Sequence, residues 1–301
     1  MWYNKTLEVK MKLEWLLISV FFLAIFFSFS LFSQEEKEDE DNFFIYEEKF
    51  CQISDKEGIK EAFENLGDKT TLIVQSNTIS FKEWFIGLEE EKTIQFYPSQ
   101  MVCSASEDFG FSLGVWKEER DSKLGIWGNY LNVWKKVGKS WKIIYHSKTD
   151  LPPRISFQKP KSCEKIELSS ERKPSQDASK VEAEMFEVLK SYGWAKVYNE
   201  YADENIFRLR SDSLLERGKK SIFIKSVAER GYIEGKVIKE DSSKSKDLVL
   251  FYGSAKTGGP QISAKGSFIH IWVKNSEGNY KLLVDFFASE RFQDKLRKKL
   301  L

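Results

Sequence analysis

The chain predicts an α+β protein made of two tandem domains. Three observations carry this. A forty-residue pattern occurs twice, each half reads as short helices followed by strands, and a proline-rich break separates the halves. The first copy runs from Phe109 to Pro153 and the second from Asp247 to Glu290. In both, an apolar run reaches a glycine (Gly114, Gly253), and a polar hairpin region follows. Then comes Gly-x-aromatic-x-x-[Val/Ile]-Trp, at Gly128–Trp134 and Gly266–Trp272. A glycine turn (Gly138, Gly278) leads to aromatic-Lys-aliphatic-aliphatic, at Trp141–Ile144 and Tyr280–Leu283. The offset between copies stays at 138 or 139 residues, the mark of a duplicated structural unit.

At 301 residues, with 41% apolar and 15% aromatic residues, the chain has material for two cores. Lys and Arg number 47 and Asp and Glu 46, for a net charge of +1. That balance speaks against a nucleic-acid partner, which calls for a basic face. The three cysteines (Cys51, Cys103, Cys163) and two histidines (His146, His270) show no zinc-ligand spacing, so no metal or cofactor is implied. The odd cysteine count leaves at least one unpaired thiol. A Cys51–Cys103 bridge and free buried thiols both remain open.

Residues 1–33 are read as a signal peptide or membrane anchor. Trp15–Phe32 holds eighteen uncharged residues, which as a helix would span about 27 Å, close to the apolar thickness of a bilayer. Lysines precede it and an acidic run (Glu35–Asp41) follows, so the remainder is expected to be extracytoplasmic: periplasmic or secreted, or anchored in the inner membrane by residues 15–32. Cleavage near Ser30 or Ser33 and an uncleaved anchor both fit, and Met11 is an alternative start. Residues 34–42 form an acidic tether.

The first domain is placed at 43–150. Ser54-x-x-Glu57 reads as a capping box for a helix bearing Ile59, Ala62, Phe63 and Leu66, ended by Gly67. Leu72–Val74 is a short β-branched run. Ser80-x-x-Glu83 opens a second helix with Trp84, Phe85 and Leu88. From Thr93 the pattern turns strand-like, with Pro98 signalling a bulge or an edge. Strands are expected at Phe109–Lys117, Ile126–Lys136 and Ser140–Lys148, giving a four-strand meander with helices on one face.

Gly58–Phe63, Tyr97–Trp116 and Gly128–Ser147 carry a resemblance. They look like the SnoaL-like branch of the nuclear-transport-factor-like, cystatin-like cone superfamily, and more closely its small bacterial domains of unknown function. That pattern has Trp-x-Pro, Ser-x-x-Asp-hydrophobic-Gly-Tyr-Thr-x-Gly, Gly-x-Tyr-x-x-Val-Trp and Trp-Lys. This chain departs from it at Tyr97 and at Phe111-Ser112. The resemblance implies a curved antiparallel sheet wrapped on N-terminal helices, with a pocket at the open end.

Residues 151–176 hold four of the six prolines and read as a linker. The second cone is placed at 177–290. Ser179-x-x-Glu182 reads as a cap for a helix with Val181, Met185, Val188, Leu189 and Tyr192 on one face. Gly193–Arg210 resembles the same family's Tyr-Ala-Asp segment. Gly218–Gly231 reads as a pocket-side helix with Ile222, Ile224 and Val227. Strands are expected at Tyr232–Lys239, Asp247–Ala255, Ile262–Lys274 and Tyr280–Ala288. Residues 291–301 form a basic tail, where Phe292, Leu296 and Leu300 suggest a short helix.

His270 aligns with Asn132, and Asp285 with His146. Alternation puts His270 on the face of Phe268 and Trp272. If that face lines the cone, His270 is a candidate base or hydrogen-bond partner; if not, it is a half-exposed sheet residue. His146 sits where, by the resemblance, cones place a polar pocket residue; a backbone-bonded strand end is the bland alternative. Arg208 and Arg210 could meet an anionic ligand, or pair with Asp203, Glu204 or Asp212 on the surface. Asp285 has no partner visible in the sequence. Tyr201, Tyr97 and Trp127 complete the ligand-binding candidates, against a reading of the Trp set as core packing.

No phosphate loop, Gly-x-Ser-x-Gly or His-Glu-x-x-His appears, and the tyrosine-plus-two-aspartates trio of cone-fold isomerases finds no match. Three functions therefore stand. One is binding of a small apolar or amphipathic ligand or a protein partner. The second is isomerase, cyclase or hydrolase activity in one pocket. The third is a structural or assembly module whose sheet faces pair, internally or in a dimer. An uncleaved N-terminal helix would add the membrane as a partner.

Overall fold

The computed structural model describes residues 42–75, 78–87, 93–118, 125–151, 155–168, 174–211, 213–227, 229, 232–257 and 264–289. The apolar run 15–32, Leu88, Gly231 and the tail 291–301 lie outside them. Among the described residues no helix is long and apolar enough to cross a membrane. Residues 46–301 cluster as one compact unit, and residues 1–45 as another.

Two sheets organise the larger unit. In the first, α1 (Phe43–Lys56) and α2 (Ile59–Leu66) precede β1 (Gly67–Ile73), β2 (Ile79–Ser80) and α3 (Phe81–Ile86). The meander β3 (Gln95–Cys103), β4 (Phe109–Glu118), β5 (Ile126–Val137) and β6 (Ser140–Asp150) follows, within two residues of the expected strand ends. The second half repeats this plan. It runs α4 (Ala178–Tyr192), α5 (Trp194–Tyr201), β8 (Ala202–Arg210), β9 (Glu216–Arg217), α6 (Lys219–Ser226), β10 (Tyr232–Ser242), β11 (Leu248–Thr257), β12 (Ala264–Lys274) and β13 (Tyr280–Ser289).

The sheets are larger than a four-strand meander. The first has the order β2-β1-β6-β5-β4-β3-β7, where β7 is Glu164–Glu167, and the second β10-β11-β12-β13-β8-β9. The Leu72–Val74 run belongs to the longer strand β1, which joins β6 in parallel, as β8 joins β13. The linker is also more than a tether. Its residues Glu164–Glu167 form β7, which pairs in parallel with Gln100–Cys103. Pro98 sits at a bulge, where the β3–β4 register shifts between Pro98 and Gln100.

Capping was legible in one case of three. Ser80 and Glu83 make the reciprocal bonds of a capping box. Ser54 instead lies in the last turn of α1, where its hydroxyl donates to the Ile94 carbonyl (2.7 Å). Helix α2 starts at Gly58, whose φ of 102° suits glycine. Helix α4 is capped by Asp177, which leaves Glu182 free to point inward. Tyr192, Ile224 and Val227 are exposed, so only part of each predicted apolar face is core. The three cysteines are free thiols, so Cys51 and Cys103 are not bridged.

The central strands bury both faces. On one face of the first sheet, Phe109, Phe111, Leu113, Leu131, Val133 and Tyr145 join Phe207, Leu209, Leu248, Leu250, Ile269 and Ile271 of the second in a single apolar core. Hydrogen bonds at this interface are reciprocal. The Ala105 amide donates to Asp247 (2.7 Å), and the Lys244 amide to Asp108 (3.2 Å). The two donors, Ala105 and Lys244, and the two acceptors, Asp108 and Asp247, are each related by the repeat offset. Ser106 and Ser245, themselves equivalent, meet hydroxyl to hydroxyl at 2.9 Å. Asn129 donates to the Ser213 carbonyl (2.9 Å), and its equivalent Ser267 meets Thr78 in the matching loop (3.0 Å). This is the contact pattern of an isologous dimer, folded into one chain. The sheet face that would serve a dimer partner is thus used internally.

Candidate functional site

The opposite face of each sheet packs on its own helices and carries the polar chemistry. Each cone has one buried glutamate on its first long helix, on a stripe with buried residues three and seven positions on: Glu47 with Phe50 and Ser54, and Glu182 with Met185 and Leu189. Each carboxylate accepts a hydrogen bond from the indole of the penultimate strand. Trp134 Nε1 lies 2.7 Å from Glu47, and Trp272 Nε1 lies 2.6 Å from Glu182. A buried carboxylate without such partners is strongly destabilising, so the contact fixes helix against sheet.

Around this shared anchor the cones differ. In the first, Glu47 is surrounded by neutral donors: Tyr130 Oη at 3.0 Å, Asn132 Nδ2 at 3.4 Å and the thiol of Cys51 at 3.8 Å. Burial raises the Glu47 pKa, and bonds from Ser112, Trp134, Tyr130 and Asn132 offset part of the rise.

His146 is the cross-strand neighbour of Asn132. Its Nδ1 lies 2.7 Å from Asn132 Oδ1. Because the Asn132 amide nitrogen faces Glu47, that oxygen is the acceptor, and His146 carries its proton on Nδ1. Nε2 is then a bare acceptor, fully buried and without a hydrogen-bond partner among the described residues. Phe63, Trp84 and Phe96 collar the ring at centroid distances of 5.0, 5.8 and 6.0 Å. Burial, with a contribution from Lys148, pushes the His146 pKa down to about 3, so the ring is neutral.

In the second cone the same positions hold charges. His270 Nδ1 is 2.7 Å from Glu182, and its Nε2 stands 3.6 Å from Asp285, beyond hydrogen-bond length but within ion-pair reach. Asp285 is gripped by Arg210 (Nη1–Oδ1 3.0 Å, Nη2–Oδ2 2.5 Å) and by the Tyr198 hydroxyl (2.5 Å). The Trp194 ring lies 5.3 Å from the Arg210 guanidinium. Burial alone would lower the His270 pKa, but Glu182 and Asp285 outweigh it and lift it to about 9. Burial would raise that of Asp285, but Arg210 and His270 hold it well below the usual carboxylate range. Glu182, His270, Asp285 and Arg210 form a neutral chain of alternating charges.

The structure thus joins His270, Asp285 and Arg210, and adds Glu182 and Tyr198, which sequence reasoning missed. Asp285 is paired rather than alone, and His270 is buried rather than half-exposed. Arg208 and Arg210 both turn inward, Arg208 onto Glu216 and Glu229 in a neighbouring cluster and Arg210 onto Asp285, while Asp212 lies outside the described residues. Tyr201 packs edge-on to Trp272. Tyr97 bonds to Gln95, and Phe157 of the linker packs on both Tyr97 and Trp127. Neither Tyr97 nor Trp127 is part of the His146 collar. Trp116, Trp134, Trp141 and Trp272 are fully buried core, as the packing reading expects.

No family model matches the chain, and no curated protein matches it. Similar solved structures include an NTF-2 like protein of unknown function from Shewanella oneidensis, at 9% identity and a TM-score of 0.32, covering 37% of this chain and 95% of that one. An NTF2-like protein from Cytophaga hutchinsonii has 18% identity and a TM-score of 0.31, with coverage of 37% and 98%. A DUF4783 family protein from Bacteroides uniformis has 9% identity and a TM-score of 0.29, with coverage of 35% and 92%. Strand order and helix placement, read from the chain itself, make each half an α+β cone, a sheet packed on its own helices. Fold alone assigns no activity.

The charge chain makes stability depend on pH. An unperturbed histidine titrates near pH 6.5, so the unfolded chain releases this proton while folded His270 keeps it. The stabilisation is present below about pH 6.5 and is lost as pH rises through about 9. Over that window urea-unfolding free energy is expected to fall by up to about 3 kcal/mol, and His270→Gln to flatten the decline. For His146 the sign reverses: below about pH 6.5 the unfolded chain takes up a proton that the folded ring refuses, which favours unfolding.

Proposed function

We propose that the protein is a non-enzymatic tandem cone that binds a small, largely apolar molecule in its first cone. The second cone serves as a locked structural partner. The observation that carries this is His146 Nε2, a neutral, buried acceptor left unpartnered inside an aromatic collar. Leaving such a group unsatisfied costs about 1–3 kcal/mol, which a ligand hydroxyl would recover. Aromatic walls with one placed polar group are a common composition for small-molecule sites.

The second cone argues against chemistry at His270. Both ring nitrogens face carboxylates, and the raised pKa leaves no free base at neutral pH. An isomerase-, cyclase- or hydrolase-type reaction would need another group. A scaffolding role is the second reading, favoured by the reciprocal sheet interface. The eighteen uncharged residues from Trp15 to Phe32 support placing the cones outside the cytoplasm, secreted or membrane-anchored. An alkaline phosphatase fusion at the C-terminus should then be active in cells; an inactive, cytoplasmic fusion contradicts that placement.

The binding proposal is tested by calorimetry with 2-naphthol and 2-methylnaphthalene, which differ in a hydroxyl donor. The hydroxyl compound should bind about tenfold more tightly, and His146→Leu should erase the difference. Equal affinities in the native chain, or discrimination that survives in His146→Leu, would contradict it.

A further inference from the structure

Two of the cysteines, Cys51 beside the Glu47 anchor and Cys163 at the linker strand, are placed near each other by a contact between other residues. Cys51 lies on α1, three residues after Glu48, so the two share a helix face. Cys163 immediately precedes β7 and stands two residues before Lys165, so it shares the end of the strand that Lys165 tethers. Lys165 Nζ binds Glu48 Oε1 at 2.7 Å. That ion pair therefore lays the Cys163 end of the linker strand on the Cys51 face of the helix.

A second observation agrees. Burial pushes both thiols up, Cys163 to about 11, and Glu47 adds to each. Cys163 stands close enough to Cys51 for a thiolate there to raise the Cys51 pKa further. Both side chains are half-buried, whereas Cys103 is fully enclosed on β3.

We infer that Cys51 and Cys163 are a disulfide-forming pair that clamps the linker strand β7 to helix α1. The oxidant is a small or protein disulfide. The thiolate of Cys163, the less deeply buried of the two, attacks it and expels one thiol, leaving a mixed disulfide. Cys51 then attacks the Cys163 sulfur and expels the second thiol. The two protein thiols lose two electrons and two protons, and the oxidant gains them. The clamp would also remove the Cys51 thiol from Glu47, which it approaches at 3.8 Å. It is a different pairing from the Cys51–Cys103 bridge that the sequence left open beside free thiols.

The test treats the reduced full-length chain with oxidised glutathione at about pH 8.5, where thiolate is more abundant. A parallel sample is oxidised during refolding from urea, so that slow attack by buried thiols cannot hide the bond. Non-reducing peptide mapping should recover a Cys51–Cys163 linked peptide with Cys103 alkylated. The oxidised chain should melt several degrees higher than the reduced one, a gain that Cys163→Ser removes and Cys103→Ser keeps. A linked peptide containing Cys103, cross-links only between chains, or Cys51 and Cys163 alkylated in both samples would overturn the inference.

Discussion

One contact recurs in both halves and sets the terms for the rest: a buried glutamate on the first long helix accepting the indole N–H of the penultimate strand. A carboxylate held in an apolar interior must be hydrogen-bonded or charge-compensated. Glu47 and Glu182 meet that requirement in different ways. Around Glu47 the sequence supplies Tyr130, Asn132 and Trp134, all neutral donors. Around Glu182 it supplies His270 and Trp272, and the histidine's charge brings in Asp285, then Arg210, then the Tyr198 hydroxyl. The neutral solution leaves His146 with a bare nitrogen. The charged solution uses up its polar groups on one another. The chemical asymmetry between the cones follows from two exchanges on paired strand positions, Asn132 for His270 and His146 for Asp285.

The second constraint is that the central strands of each sheet have no wet face, although the edge strand β10 is exposed from Glu234 to Glu240. One side covers its helices and the other covers the second sheet. Strands such as Leu248–Thr257 are therefore apolar at nearly every position rather than alternating. The reciprocal bonds between Asp108 and Lys244 and between Ala105 and Asp247 show that the duplication kept a twofold relation between the copies. That relation ties the cones together and directs both polar interiors away from the shared core.

Strands were legible because glycine, Trp and aromatic-Lys signals recur at a constant offset, and period-two alternation then placed His270 beside Phe268 and Trp272. The anchor was not read. Ser179-x-x-Glu182 has the form of a capping box, and the local signal masked the tertiary role. A better signal was present. Glu182, Met185 and Leu189 fall on one helical stripe, and Glu47 and Glu182 each stand eleven residues before a glycine that starts the next helix (Gly58, Gly193). The helices repeat at an offset of 135, not 138, so a comparison locked to the strands passes over them. Strand β7 was illegible for another reason: four residues among prolines and charges pair only because the β3 edge is there to receive them.

The chain has only two histidines, one in each cone, and that makes the central claim directly measurable. Imidazole nitrogen-15 shifts, recorded by NMR on the folded protein at neutral pH, report which nitrogens carry protons. The account predicts one ring protonated on both nitrogens, assigned to His270 by its loss in His270→Gln. It predicts a second, neutral ring protonated on Nδ1 alone, assigned to His146. Two neutral rings, or a charged His146, would contradict the division of the molecule into a charge-locked cone and a neutral one with an open acceptor.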